Sequence, residues 1–148
     1  MKISLWIPLL LLAASTAFGA SLSDILGIWK TEMDESKVKI FPCGENVCGT
    51  IVWLKNPNYL DSSDGKVGTP IIDQHNPDPS LRSRPLIGLR ILEGFTPEGN
   101  NSWGNGTCYD PKSGKSYRAS LRLNRDGSLR VTGCVLFICQ SVRWTRSR

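Results

Sequence analysis

Helical periodicity, histidine and long apolar runs are all scarce in this chain, and each shortage excludes something. Only Ser23-Asp24-Ile25-Leu26 reads as a capped turn, with Ser23 as its cap, so a helical bundle or a fold of alternating strands and helices is ruled out. A single histidine, His75, means that any acid–base or nucleophilic scheme requiring imidazole must use that one residue. No second apolar stretch follows the N-terminal one, no internal repeat or low-complexity tract is present, and no cysteine lies at the expected cut to carry a lipid anchor. The formal charge of +5 is mild, which is not the footprint of a nucleic-acid binder.

What is present begins with an address. Lys2 supplies a positive start, Ile3 to Leu12 is almost wholly apolar, and small residues gather at Ala17 to Ala20, the plan of a cleavable signal peptide over residues 1–20. The apolar run falls short of the roughly 20 residues that a membrane span needs. Cleavage after Gly19 or Ala20 leaves residues 21–148 as a single domain of ordinary size. The C-terminal arginines Arg143, Arg146 and Arg148 suggest peripheral contact with an anionic envelope surface.

Cysteine usage agrees with export. Cys43 and Cys48 bracket one expected hairpin turn and Cys134 and Cys139 another, each with four residues between partners, and we read them as two disulfides. That spacing is wider than a zinc knuckle, and no metal site is expected. Cys108 is the odd one, expected as a buried free thiol or, alternatively, the donor of an intermolecular bridge.

From Gly27 onward the dominant pattern is alternation with period two, clearest where Tyr117, Ala119, Leu121 and Leu123 share one face. Strands are expected over about 27–33, 36–42, 47–55, 86–94, 102–109, 115–123, 128–134 and 139–146. Turn chemistry at Asp110 to Gly114 and Asn124 to Gly127 joins neighbours as hairpins. An excursion from Asn56 to Arg84, rich in Pro, Asp, Asn and Gly, interrupts the meander and hides a short strand near Lys66 to Asp73. The expected fold class is therefore all-β, a small antiparallel up-and-down barrel of about eight strands, with an open sandwich as the rival. Its inward candidates are Trp29, Ile40, Trp53, Leu89, Ile91, Tyr117, Leu121 and Leu123, bulky enough to leave only a small cavity.

Several segments together resemble one family: Gly27-x-Trp29; Cys43 followed by Cys48-Gly49-Thr50-Ile51-Val52-Trp53-Leu54; Asp73-x-x-Asn76-Pro77; Arg84-Pro85-Leu86-x-Gly88-Leu89; Tyr109-Asp110-Pro111-x-x-Gly114-Lys115-x-Tyr117; and Trp144-x-Arg146. They are similar to the bacterial exported proteins grouped as domain of unknown function 2147. The resemblance implies a lipocalin-like, calycin-type barrel in a bacterial periplasm with no established activity. It also implies a barrel-closing pair in which an arginine packs across a tryptophan, parts that Trp29 and either Arg143 or Arg146 would take beside Trp144. Cys108 departs from the pattern, where an aliphatic residue is expected.

Candidate sites follow from residue chemistry. Arg84 and Arg90 flank an apolar strand, and an arginine buried at a barrel mouth needs a carboxylate, either internal, such as Asp73, or a ligand's. Asn76 lies beside Asp73, and the aromatics Trp53, Trp103, Tyr109, Tyr117 and Trp144 line a pocket or fill the core. Asp73, Asn76 and Asp78 lack the spacing of a calcium loop and read as turn bracing, as does Asp110. The functional expectation is non-catalytic binding of a small apolar or anionic ligand, with no cofactor. An envelope interaction or assembly protein and a hydrolase built on His75 are the alternatives, and oligomeric state is left open.

Overall fold

Eight stretches in which apolar and polar residues alternate pair in chain order and close on themselves. The computed structural model describes residues 21–148; the expected signal peptide lies outside them. The strands are β1 (Gly27–Lys30), β2 (Ser36–Cys43), β3 (Asn46–Leu54), β4 (Arg90–Gly99), β5 (Ser102–Asp110), β6 (Lys115–Leu123), β7 (Leu129–Val135) and β8 (Ile138–Arg146). Every neighbouring pair is antiparallel, and β1 meets β8 through Trp29 opposite Arg146 and Lys30 opposite Thr145, so the sheet is a closed up-and-down barrel. Among the described residues no helix is long and apolar enough to cross a membrane.

Local chemistry sets the corners. Asn100 and Asn101 both take the left-handed conformation in the β4–β5 turn, the geometry of a two-residue hairpin for which asparagine is suited. The expected N-terminal turn forms as a 3-10 segment at Leu22–Asp24, two residues earlier than expected: Ser21 rather than Ser23 is its cap, and the Ser21 amide donates to Asp24 Oδ2 at 2.6 Å. The strand expected over 86–94 starts only at Arg90, because Leu86 to Leu89 turns, with Gly88 at φ +94° and the Leu89 amide donating to Leu86 O at 3.1 Å. The short strand expected in the excursion is reduced to two isolated bridges, Asn58 with Pro70 and Ile72 with Pro85. Proline cannot donate to a ladder, which limits each pairing to a single step.

The barrel is filled at one end only. Trp29, Val38, Ile40, Leu92, Phe95 and Leu121 are almost fully buried there. Gly49 and Gly106 make this packing possible: a Cβ at Gly106 would sit 2.4 Å from the Phe95 ring, and one at Gly49 would sit 2.9 Å from Leu92. Beneath this core Trp29 Nε1 donates to Ile25 O at 2.8 Å. Arg146 lies over the Trp29 ring, donates to Leu26 O at 2.9 Å and also reaches Asp24 O. Arg146 is thus the closing arginine. Arg143 instead pairs with Asp126 at 2.6 Å on the outer face.

Candidate functional site

At the opposite end, the strand termini and the excursion from 55 to 89 frame a cavity of about 1340 Å³ that opens to solvent. Its floor and walls carry Ile51, Ile91, Tyr117, Val131 and Trp144 from the barrel, while Ile71, Ile72 and Leu86 of the excursion form one side. The cavity is larger than the side-chain bulk of the inward candidates implies. Gly133 on β7 explains part of the difference, since a Cβ there would meet nothing closer than Tyr117 at 3.5 Å.

The excursion is held in place by a buried carboxylate. Asp73 is fully buried, and its Oδ2 accepts from Asn76 Nδ2 at 2.7 Å and from Arg84 at 2.9 Å. Its Oδ1 accepts from the Tyr109 hydroxyl of β5 at 2.6 Å, tying the excursion to the barrel wall. A buried charge is tolerable only when paired and hydrogen-bonded, and here every oxygen has a donor. Burial first, and then hydrogen bonding and charge repulsion from Asp73, push the Tyr109 phenol up to about 12. The β5–β6 turn supplies a second seat: Gly114, at φ +69°, lies so close to the His75 carbonyl that a Cβ would be 1.9 Å from it. Within the excursion, Tyr59 is buried against Gly65 and its hydroxyl accepts from the Ile72 amide at 3.3 Å.

The residues proposed from sequence as a ligand site therefore separate. Tyr109 and Tyr117 line the cavity. Asp73, Asn76 and Arg84 form the latch behind it, with the internal carboxylate as the arginine's partner. Three other placements need correction. Trp53 is 40% exposed and stacks outside beneath Lys37, 5.3 Å from the ring centre. A bulge opposite Lys37 and Val38 adds one residue to β3, which turns Trp53 outward and brings Leu54 into the lining. Arg90 is likewise exposed, over the Phe41 ring and beside Glu93 at 3.4 Å. Trp103 is buried in the filled end.

The remaining candidates have ordinary surroundings. His75 is exposed, and among the described residues Gln74 is its one side-chain partner, at 3.4 Å. Cys108 lines the cavity, where burial and then the nearby Asp110 push its thiol up to about 11, so it is protonated and a poor nucleophile at neutral pH. Cys43 is bonded to Cys48 and Cys134 to Cys139, the first diagonally and the second directly across its hairpin. Among the described residues no group of three or more His, Cys, Asp or Glu is placed to hold a metal ion. Sequence reasoning missed Ile71, Leu86 and Gly133, because nothing local shows that the excursion folds back over the barrel.

Residues 27–146 match the family model described as an uncharacterized protein conserved in bacteria, DUF2147. No curated protein matches the sequence. Among solved structures, the chain is similar to protein HP1028 from the human pathogen Helicobacter pylori, described as belonging to the lipocalin family. The identity is 24% and the TM-score 0.67, over 83% of this chain and 82% of that one. At that identity the likeness is one of fold.

Proposed function

The chain belongs to this DUF2147 family of uncharacterized bacterial proteins, and on that footing we propose that it is an exported, non-catalytic carrier of one small apolar or lipid-like molecule. The observation that carries the reading is the one-ended filling of the barrel: packed core on the Trp29 side, and about 1340 Å³ of open, mostly aliphatic and aromatic lining on the other. Small-molecule sites are concave, largely apolar and preformed, and barrel mouths are a favoured place for them. Tyr109, Tyr117 and Gln140 on the lining supply the few polar contacts that orient a ligand's head. The disulfide-closed hairpins and the signal-like leader support a periplasmic setting.

The geometry favours the carrier over the hydrolase, since among the described residues His75 has no nucleophile at hydrogen-bond distance and burial keeps Cys108 protonated. It also favours the carrier over an assembly protein, for which a plugged barrel would suffice. Native mass spectrometry of the protein purified from its own periplasm tests the proposal. A co-purifying small mass, displaced by a fluorescent fatty acid, is expected. An empty protein that binds no apolar probe overturns it.

A further inference from the structure

The strongest unexplained feature is the β7–β8 hairpin, whose tip is four apolar residues in a row at the rim of the mouth. Val135, Leu136, Phe137 and Ile138 are 53, 90, 89 and 65% exposed. Leu136 sits at φ +54° in this turn, a conformation that favours glycine, and its side chain is almost wholly in solvent. A strained apolar turn with no packing to offset it breaks a local rule without benefit to the fold. Cys134–Cys139 lies directly beneath and holds the tip rigid.

The wall that carries this tip is charged with one sign. Residues 115–148 hold eight Lys or Arg against the single Asp126. Across the outer face, Arg122 faces Arg130 and Arg130 faces Arg143, a row of like charges in direct register, which destabilises a sheet. Among the described residues, Arg143 alone of this row pairs with a carboxylate, Asp126, and Arg118, Arg122 and Arg130 form no ion pair. The rest of that outer face is Ser116, Ser120, Thr132, Ser141 and Thr145, with Arg118 beside the disulfide. The acidic residues of the mouth are Glu32, Glu35, Asp61 and Asp64 on the β1–β2 loop and the excursion, and Asp110 at the end of β5, where it braces its own turn through Lys112 N and Ser113; Glu35 is bonded to Lys112.

We infer that the Val135–Ile138 tip and the arginine face of β6, β7 and β8 form a docking surface for an anionic lipid bilayer. The tip enters the acyl boundary and the arginines meet phosphate headgroups. Arg118, opposite Cys134, stands next to the tip, and the Arg122, Arg130 and Arg143 row lies five residues farther along the same wall, about 16 Å from Val135, so the barrel docks on that wall with an apolar end and a cationic flank, the combination that such a surface binds. A convex, rigid tip suits a fluid layer that deforms around it and needs no matching pocket. Because four of the five acids at the mouth lie on the β1–β2 loop and the excursion, the barrel docks tilted, with that side raised. Val135 and Ile138 also line the cavity, so its edge meets the membrane; docking itself does not depend on the carrier reading.

Flotation with vesicles of phosphatidylglycerol and phosphatidylethanolamine, against phosphatidylcholine alone, tests this on the mature protein. Wild type is expected to float with anionic vesicles and to lose most binding in 0.5 M salt or on neutral vesicles. Leu136→Asn with Phe137→Ser should weaken binding at least tenfold at an unchanged Tm, because neither side chain is packed. Arg122→Gln with Arg130→Gln should weaken it similarly on anionic vesicles only, and should raise Tm by relieving repulsion. Three results overturn the inference: no flotation of the wild type, binding indifferent to the tip pair, or sedimentation showing a dimer that the tip pair dissolves. Tight binding to a soluble anionic polysaccharide that matches vesicle binding and ignores the tip also overturns it.

Discussion

The guanidinium of Arg146 lies 4.3 Å from the centre of the Trp29 ring, across the single short seam where the last strand meets the first. It donates to the carbonyls of Leu26 and Asp24, so one side chain holds the N-terminal turn, the tryptophan and the closing strand together. Arg146→Lys keeps the charge but loses the planar stack and the second donor direction, and we expect a loss of about 2 kcal/mol for either Lys or Gln. Urea unfolding followed by tryptophan fluorescence measures this. Stability restored by the lysine would show that charge alone matters.

The Asp73 latch predicts a local failure. Asp73→Ala removes a buried carboxylate that accepts from Asn76, Arg84 and Tyr109, and should cost about 3 kcal/mol, the low end for breaking a buried pair because Arg84 is partly solvated. Limited proteolysis should cut first between 55 and 89, with the barrel strands protected. Uniform cutting would mean that the excursion is not tied down by Asp73.

Tyr109 gives the latch a pH dependence. The unfolded chain loses a tyrosine proton near 10, while folded Tyr109 keeps its proton to about 12. Between those values the unfolded state binds fewer protons, so stability falls as pH rises from 10 toward 12 and is fully present below 10. Absorbance at 295 nm should show a tyrosine step near pH 12 in the folded protein that is missing in Tyr109→Phe. The variant should be less stable at pH 7, with a flatter decline above pH 10.

Gly133→Leu tests the cavity. Gly133 lies on the lining and an added Cβ meets only Tyr117, at 3.5 Å, so a side chain can start there without displacing backbone and extend into the cavity. Affinity for an apolar probe should fall at least tenfold in a fluorescence titration while Tm stays near that of the wild type. An unchanged affinity would place the ligand elsewhere.

Loss of the second disulfide separates fold from rim. Cys134→Ser with Cys139→Ser should cost about 2 kcal/mol by loop-closure entropy, since the loop is short. Denaturant unfolding measures that cost. Hydrogen exchange should quicken at residues 134–139, with β2 to β6 still protected.

Most of the barrel was legible in the sequence because period-two alternation, turn residues and short connections are local signals. Seven of the eight strands lie within a few residues of where alternation puts them, and the two hairpin disulfides connect cysteines five positions apart. The site was not legible in the same way. A single inserted residue at the β3 bulge turned Trp53 out of the barrel, and alternation has no means of announcing an insertion. The return of the excursion over the mouth depends on Asp73 meeting Tyr109, 36 positions away, and on the close approach of Gly114 to His75. The sequence by itself determined an all-β chain with a closing tryptophan and two stapled hairpins. Only the tertiary structure decided which end of the barrel is filled, which arginine closes it and which apolar residues are left in water, because those depend on contacts between segments far apart in the chain.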